Sequence, residues 1–408
     1  MSKFVHILTG ILFFSFYSFE NFSLKAVKID TFLLSYYVNI DKGEYEEALM
    51  NINESFRKHG ASHLLFELKG DCYFFQQKFQ DALDSYLKSD SLKPDYGSYK
   101  IARIYALLED YGTAINYLRK HLESRYKLPE SNILLDESFS ELSKTKDWSE
   151  LWKEEWYSVR DKSISEIQFL LKYKNSEEAL DILNEKIGSN PMSHEYYYLR
   201  ATAYFVMKEY KLVIEDLNQA IKLTKTNPDY YRMRANAFSN MNNYNKAVDD
   251  YFEVLELNPY ELKIFKNIAF CYARKGDFKN AAIFIENYLN FYDKDEEALF
   301  ECGNIYFQNK KFLHSLRYYN RAISLNSAKA DYYIARANAY INTKTYKFAE
   351  SDLSMALDLE PRNSETYYMR ALSRFYQGNK NGACNDWQKA MNMGNSKAMV
   401  EHKEKCNK

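Results

Sequence analysis

Glycine and proline are scarce, at 12 and 6 in 408 residues. So few chain breakers exclude an all-β sandwich built on tight turns. They equally exclude a disordered, low-complexity chain. Cysteine is sparse and odd in number, at 5, which excludes a disulfide-framed scaffold. Neither sign of charge is in excess: 55 basic residues face 56 acidic ones, for a net charge of −1. That balance removes the simplest electrostatic case for nucleic-acid binding. What is plentiful is aromatic side chains, 17% of the chain with Tyr at 37. At 408 residues the chain exceeds an average domain, so a single compact core is not expected.

One apolar run stands out. Residues 4–19 follow Lys3 and end at Glu20. The run is short for a membrane span, which needs about 20 apolar residues. Residues 1–26 are therefore read as a signal peptide, with an uncleaved anchor or an apolar first helix as the alternatives. An exported location, in the periplasm or cell envelope, goes with the first reading and a cytoplasmic one with the last. No later segment is apolar and long enough to span a bilayer.

The strongest signal is self-similarity. Small residues recur every 34 positions at Val213, Ala247, Ala281, Ser315, Ala349 and Ala383. A second small set lies twelve upstream, at Ala201, Ala235, Ala269, Gly303, Ala337 and Ala371. An aromatic lies nine upstream of the first set in five units, at Tyr204, Phe238, Tyr272, Tyr306 and Tyr340; the sixth has Arg374. Each unit holds two stretches of helical periodicity around a short turn such as "KGDF" at 275–278. Small residues let paired helices approach, and aromatics fill the remaining space. One pair cannot bury its own face, so neighbours must stack.

This pattern resembles the tetratricopeptide repeat family, as in "LLFELKGDCYFFQQKFQDALDSYLKSDSLKP" at 64–94 and "IFKNIAFCYARKGDFKNAAIFIENYL" at 264–289. The resemblance implies an all-α solenoid, a right-handed superhelix of about ten stacked helix-turn-helix pairs. It divides the chain into the leader at 1–26, an N-terminal arm at 27–127 and an irregular joint at 128–159. A C-terminal array at 160–397 and a capping helix at 398–408 complete it. Three of the four tryptophans, Trp148, Trp152 and Trp156, fall in the joint. Their spacing of four predicts one helix face, read either as core across the joint or as an exposed stripe that docks a partner.

Copies within the chain co-vary. Arg200, Arg234, Arg336 and Arg370 each have an Asp sixteen residues on: Asp216, Asp250, Asp352 and Asp386. Units with Ile101, Ile268 or Cys302 in place of the Arg carry Tyr117, Phe284 or Tyr318 in place of the Asp. The pattern predicts an Arg–Asp bridge between the two helices of a unit, replaced elsewhere by an apolar contact.

No HExxH, CxxC, glycine-rich phosphate loop or GxSxG occurs, and the seven His are scattered. No catalytic constellation, metal site, cofactor or small-molecule substrate is therefore expected, and the chain is read as a non-enzyme. Cys384 and Cys406 are positioned to pair if a terminal helix folds back on the last unit.

The resemblance implies that the first helix of each unit lines a concave groove where partner peptides lie. Thr202, Arg232, Asn236, Asn267, Phe270, Phe300, Asn304, Phe307, Asn338 and Phe375 fall at its inward positions. Asparagine amides donate and accept, so a row of them suits an extended backbone. Arg232, Asn236 and Asn267 also match three places of the family's carboxylate clamp, but Glu297 and Glu301 stand where its remaining basic residues belong. Two acids there repel a terminal carboxylate. The sequence thus predicts a scaffold or adaptor that holds a basic or neutral extended segment of a protein partner. The alternative is a chaperone-like or assembly factor of an exported pathway, with several weakly held clients.

Overall fold

The computed structural model describes residues 31–406 except Lys174, so the leader read at 1–26 lies outside the described residues. Among these residues every regular element is helical: 23 α-helices and two 3₁₀ turns. No described helix is long and apolar enough to cross a membrane. The chain forms two compact units that divide at Glu261/Leu262.

The N-terminal unit holds six helix pairs, from Thr31–Lys42 with Tyr45–His59 to Pro228–Asn240 with Tyr244–Leu257. The C-terminal unit holds four, from Ile264–Arg274 with Phe278–Leu289 to Ser364–Tyr376 with Lys380–Asn392, and a terminal helix Ser396–Lys405. The pairs form because small residues recur at their crossing points. Ala201, Val213, Ala235, Ala247, Ala337, Ala349, Ala371 and Ala383 are all fully buried. At Gly303 the approach is closest: a Cβ there would lie 2.4 Å from the Tyr319 ring, and the same holds for Gly70 against Tyr86.

The turn inside each pair explains how so few glycines suffice. In the six units from Ala201 to Ala383 one residue adopts the left-handed conformation at a fixed place. Glycine supplies it at Gly276 and Gly378, but Lys208, Asn242, Lys310 and Lys344 supply it elsewhere, at φ between 58° and 63°. A side chain there costs about 1–2 kcal/mol. The following N–H recovers the helix end by returning to the recurring aromatic's carbonyl: Asn243 to Phe238 at 2.8 Å, Lys311 to Tyr306 at 2.9 Å.

The stretch 124–158 departs from pairing. It carries two short helices, Glu130–Leu134 and Lys146–Leu151, and the two 3₁₀ turns. Phe139, Leu142, Trp148, Leu151 and Tyr157 bury themselves against Ala114 and Leu118 of the preceding repeat. The tryptophans do not share one helix face. The helix ends at Leu151, Trp152 caps it, and Trp156 lies beyond it. Trp156 folds back instead, its Nε1 donating to the Leu151 carbonyl at 2.7 Å. Trp148 is buried, and the other two are half-buried against the same core.

At the far end, Cys384 and Cys406 form a disulfide. It clamps the terminal helix over Ala371, Ala390 and Trp387, all fully buried. Phe375, expected on the groove, belongs to this core. It packs 5.6 Å from Trp387, and Lys405 covers it at 4.6 Å.

Candidate functional site

Two side-chain systems organise the repeats: an ion-pair lattice between helices, and the exposed face of the first helices. The lattice is regular. Each of four arginines grips an aspartate with both edges of its guanidinium. Arg234 Nε donates to Asp250 Oδ2 at 2.8 Å and Nη2 to Oδ1 at 2.7 Å. Arg200–Asp216, Arg336–Asp352 and Arg370–Asp386 repeat this fork. Burial pushes the Asp216 and Asp250 carboxyls up, and the guanidinium bonds oppose that. Arg374, the last unit's departure from the aromatic, reaches the same Asp386 at 2.7 Å.

Each arginine also has a second partner, sixteen residues upstream on the previous unit. Arg200 Nη1 donates to Asn184 at 2.8 Å, Arg234 to Asn218 at 2.7 Å, and Arg336 to Asn320 at 2.7 Å. Arg370 donates to Ser354 at 3.1 Å. The arginine therefore ties three helices, not two. Where Cys302 replaces it, Glu286 stands at the upstream position and Tyr318 at the downstream one. The Tyr318 hydroxyl donates to Glu286 Oε1 at 2.6 Å, so the substitute contact is polar.

On the first-helix face of the N-terminal unit, the expected residues are largely engaged. Thr202 donates its hydroxyl to the Tyr198 carbonyl one turn back at 2.9 Å. Arg232 donates to Glu261 at 2.6 Å and pairs with Asp229 as well. Two carboxylates neutralise it, so it has no charge to offer a ligand anion. Asn236 accepts from the Tyr251 hydroxyl at 2.6 Å. Near the irregular stretch this unit also carries a cavity of about 350 Å³, lined by Tyr157, Asp161, Ile164, Glu195, Tyr198 and Tyr230. Ile164 and Tyr198 stand 34 residues apart, at one repeat position on successive first helices, a signal available in the sequence.

On the corresponding face of the C-terminal unit, Phe270 is 41% exposed and lies 5.0 Å from the Arg274 guanidinium. Phe300 is half-buried between repeats, 4.6 Å from Tyr332. Phe307 packs edge-on against Phe312 at 5.3 Å. Asn304 accepts from the Tyr319 hydroxyl at 2.8 Å. Asn267 and Asn338 are half-buried, and no hydrogen bond engages either side-chain amide among the described residues.

Between Phe300 and Asn304 lies Glu301. It is half-buried and makes no hydrogen bond or ion pair among the described residues. Burial pushes its carboxyl up. Lys266 opposes that shift, and the negative charges of Asp295 and Glu297 add to it. Lys266 is committed to Asp295 at 3.2 Å, and Glu297 meets Lys329 at 3.4 Å. No group of His, Cys, Asp and Glu among the described residues is arranged to hold a metal ion.

Family models described as tetratricopeptide repeat match residues 194–227, 228–261 and 296–329. Serine/threonine-protein phosphatase 5 of Homo sapiens is 32% identical over 117 residues, 28% of this chain and 23% of that protein. RNA polymerase II-associated protein 3 of Xenopus laevis is 29% identical over 93 residues, 23% of this chain and 14% of that protein. The chain thus spans less than a quarter of either relative. Among solved structures, the C-terminal part of a TPR repeat-containing protein from Cytophaga hutchinsonii aligns with a TM-score of 0.53. It is 18% identical and covers 58% of this chain and 98% of its own.

Proposed function

The chain is a tetratricopeptide repeat protein, and from that premise we propose a non-catalytic interaction scaffold. Its first-helix face in the C-terminal unit holds an extended, basic segment of a protein partner. The observation that carries this reading is Glu301: a half-buried carboxylate without a bonding partner among the described residues, beside two other acids. A lysine or arginine from the partner supplies the direct bond that Lys266, paired with Asp295, does not make, in a partly desolvated place where a charge-assisted hydrogen bond is worth most.

The neighbouring residues complete the site. Asn267 and Asn338 offer amides to an extended backbone, and Phe270 and Phe307 offer apolar contact on either side. The surface is preformed by stacked helices, so binding orders the partner rather than the scaffold. Arg232, already neutralised, recruits no partner carboxylate.

The test is selection from a displayed library of random unstructured peptides. Wild type should enrich sequences with a Lys or Arg near apolar residues, and Glu301→Gln should lose that enrichment. Selection of acidic peptides, or identical pools from both proteins, contradicts the reading.

A further inference from the structure

A second site lies away from the first-helix face, between the second helices Phe278–Leu289 and Phe312–Leu325. A cavity of about 470 Å³ opens there, walled by Glu286, Asn287, Asn290, Arg317, Tyr318 and Arg321. Its origin is legible in the repeat register. Glu286 and Tyr318 flank Cys302 in sequence as Asn218 and Asp250 flank Arg234. In the arginine-bearing units a guanidinium fills the space between those two positions and ties them together. Here no guanidinium stands between them: Cys302 is buried, and the Tyr318 hydroxyl reaches Glu286 directly, so the two residues form a wall of the cavity.

The wall groups indicate what fills it. Tyr306 and Tyr318 both donate to Glu286 Oε1 at 2.6 Å, so this carboxylate is held by the protein's own hydroxyls. The two arginines are not matched in the same way. Arg317 lies 5.9 Å and Arg321 6.0 Å from the Tyr318 ring, one helical turn apart on one face. Arg321 donates to the Asp293 carbonyl at 3.1 Å. No carboxylate lies within ion-pair distance of either guanidinium among the described residues. The Asn290 amide adds a neutral donor at the rim, while Asn287 Nδ2 donates to the Ile283 carbonyl at 2.8 Å.

We propose that this cavity binds an oxyanion, a carboxylate or phosphate group, between Arg317 and Arg321. Guanidinium forks recognise such groups with two parallel bonds each, and the cavity charge of two cations against one hydroxyl-held carboxylate favours a negative ligand. The site is independent of the groove, which selects the opposite charge.

The test is calorimetric titration of the full chain at low salt with three probes: inorganic phosphate, citrate and a tetraglutamate peptide. Two variants accompany it. Arg317→Gln/Arg321→Gln removes the recognition groups. Glu286→Asn/Cys302→Arg/Tyr318→Asp rebuilds the triad of the other units and removes two wall groups, Glu286 and the Tyr318 ring beside which both guanidinium groups lie, leaving both arginines in place. Saturable binding of at least one probe is expected, weakened about tenfold or more in each variant that retains the wild-type helical spectrum. Phosphate or citrate alone identifies a small anion as the ligand class, and tetraglutamate alone an acidic protein segment. If the triad variant does not fold, the double arginine variant decides. Absence of saturable binding by all three probes overturns the proposal, as does unchanged affinity in the double arginine variant or in a folded triad variant.

Discussion

Tyr251 donates its hydroxyl to Asn236 Oδ1 at 2.6 Å, joining the second helix of a unit to the exposed face of its first. Tyr319 and Asn304 repeat the bond at the same fifteen-residue offset. These amides are structural members as well as surface groups. Asn236→Ala takes this acceptor from a buried hydroxyl and should cost about 1–2 kcal/mol. Tyr251→Phe in the same chain should recover part of it, with a coupling of about 1 kcal/mol by double-mutant cycle in urea. Strict additivity of the two substitutions would contradict the role assigned to the bond. Asn338→Ala, whose unit has Leu353 at that offset, should be close to neutral in stability.

The Arg234 fork predicts a larger effect. Asp250→Ala leaves a half-buried guanidinium without its counter-charge and should lower stability by about 3–5 kcal/mol. Arg234→Leu/Asp250→Phe should recover much of that, and adding Asn218→Phe should recover more, because Asn218 otherwise loses its donor. The two phenylalanines copy Phe252 and Phe284, which stand at the equivalent positions around Ile268, and the leucine matches Ile268 in size. Equal melting temperatures for wild type and Asp250→Ala would remove the ion pair from the account.

His121 makes stability depend on pH. Its Nε2 accepts from the Leu128 N–H at 3.0 Å, so the ring is held neutral, and burial with Lys127 nearby lowers its pKa to about 4. A depressed histidine pKa means that the unfolded chain takes up the proton first as pH falls. Stability from this group is complete above pH 6.5 and is lost progressively between 6.5 and about 4. That loss amounts to roughly 2–3 kcal/mol. Denaturation of wild type and His121→Gln across this range should show the difference in slope. Parallel profiles would assign the acid sensitivity elsewhere.

The Cys384–Cys406 disulfide closes a separation of 22 residues, which the chain-entropy view values at about 3 kcal/mol. Reduction should release the helix Ser396–Lys405 first. Amide exchange should accelerate there, and Trp387 emission should shift to the red, while the repeats before Ser364 keep their protection. Uniform acceleration along the chain would mean that the cap and the array unfold as one body.

The fold was largely legible because the repeat writes its constraints many times over. Small residues at crossing points and paired changes of Arg and Asp appear in several copies, so one chain supplies its own comparison. The same copies held two signals not read from them: Asn184, Asn218 and Asn320 upstream of three of the four arginines, and the tyrosine fifteen residues after Asn236 and Asn304. The candidate face was less legible. Arg232 looked available because its sequence position says nothing of Glu261, which reaches it from the end of its own unit. Phe375 looked exposed because the terminal helix that covers it lies outside the repeat. Trp156 looked helical because spacing alone does not show where a helix ends.

The central claim is that Glu301 recruits a basic segment. Its most direct test is titration of a labelled library-selected peptide by fluorescence anisotropy against wild type and Glu301→Gln, at neutral pH and at two salt concentrations. The account predicts about tenfold weaker binding to Glu301→Gln, a shallower salt dependence for that variant, and no change in its melting temperature. Equal affinity for the two proteins would contradict it.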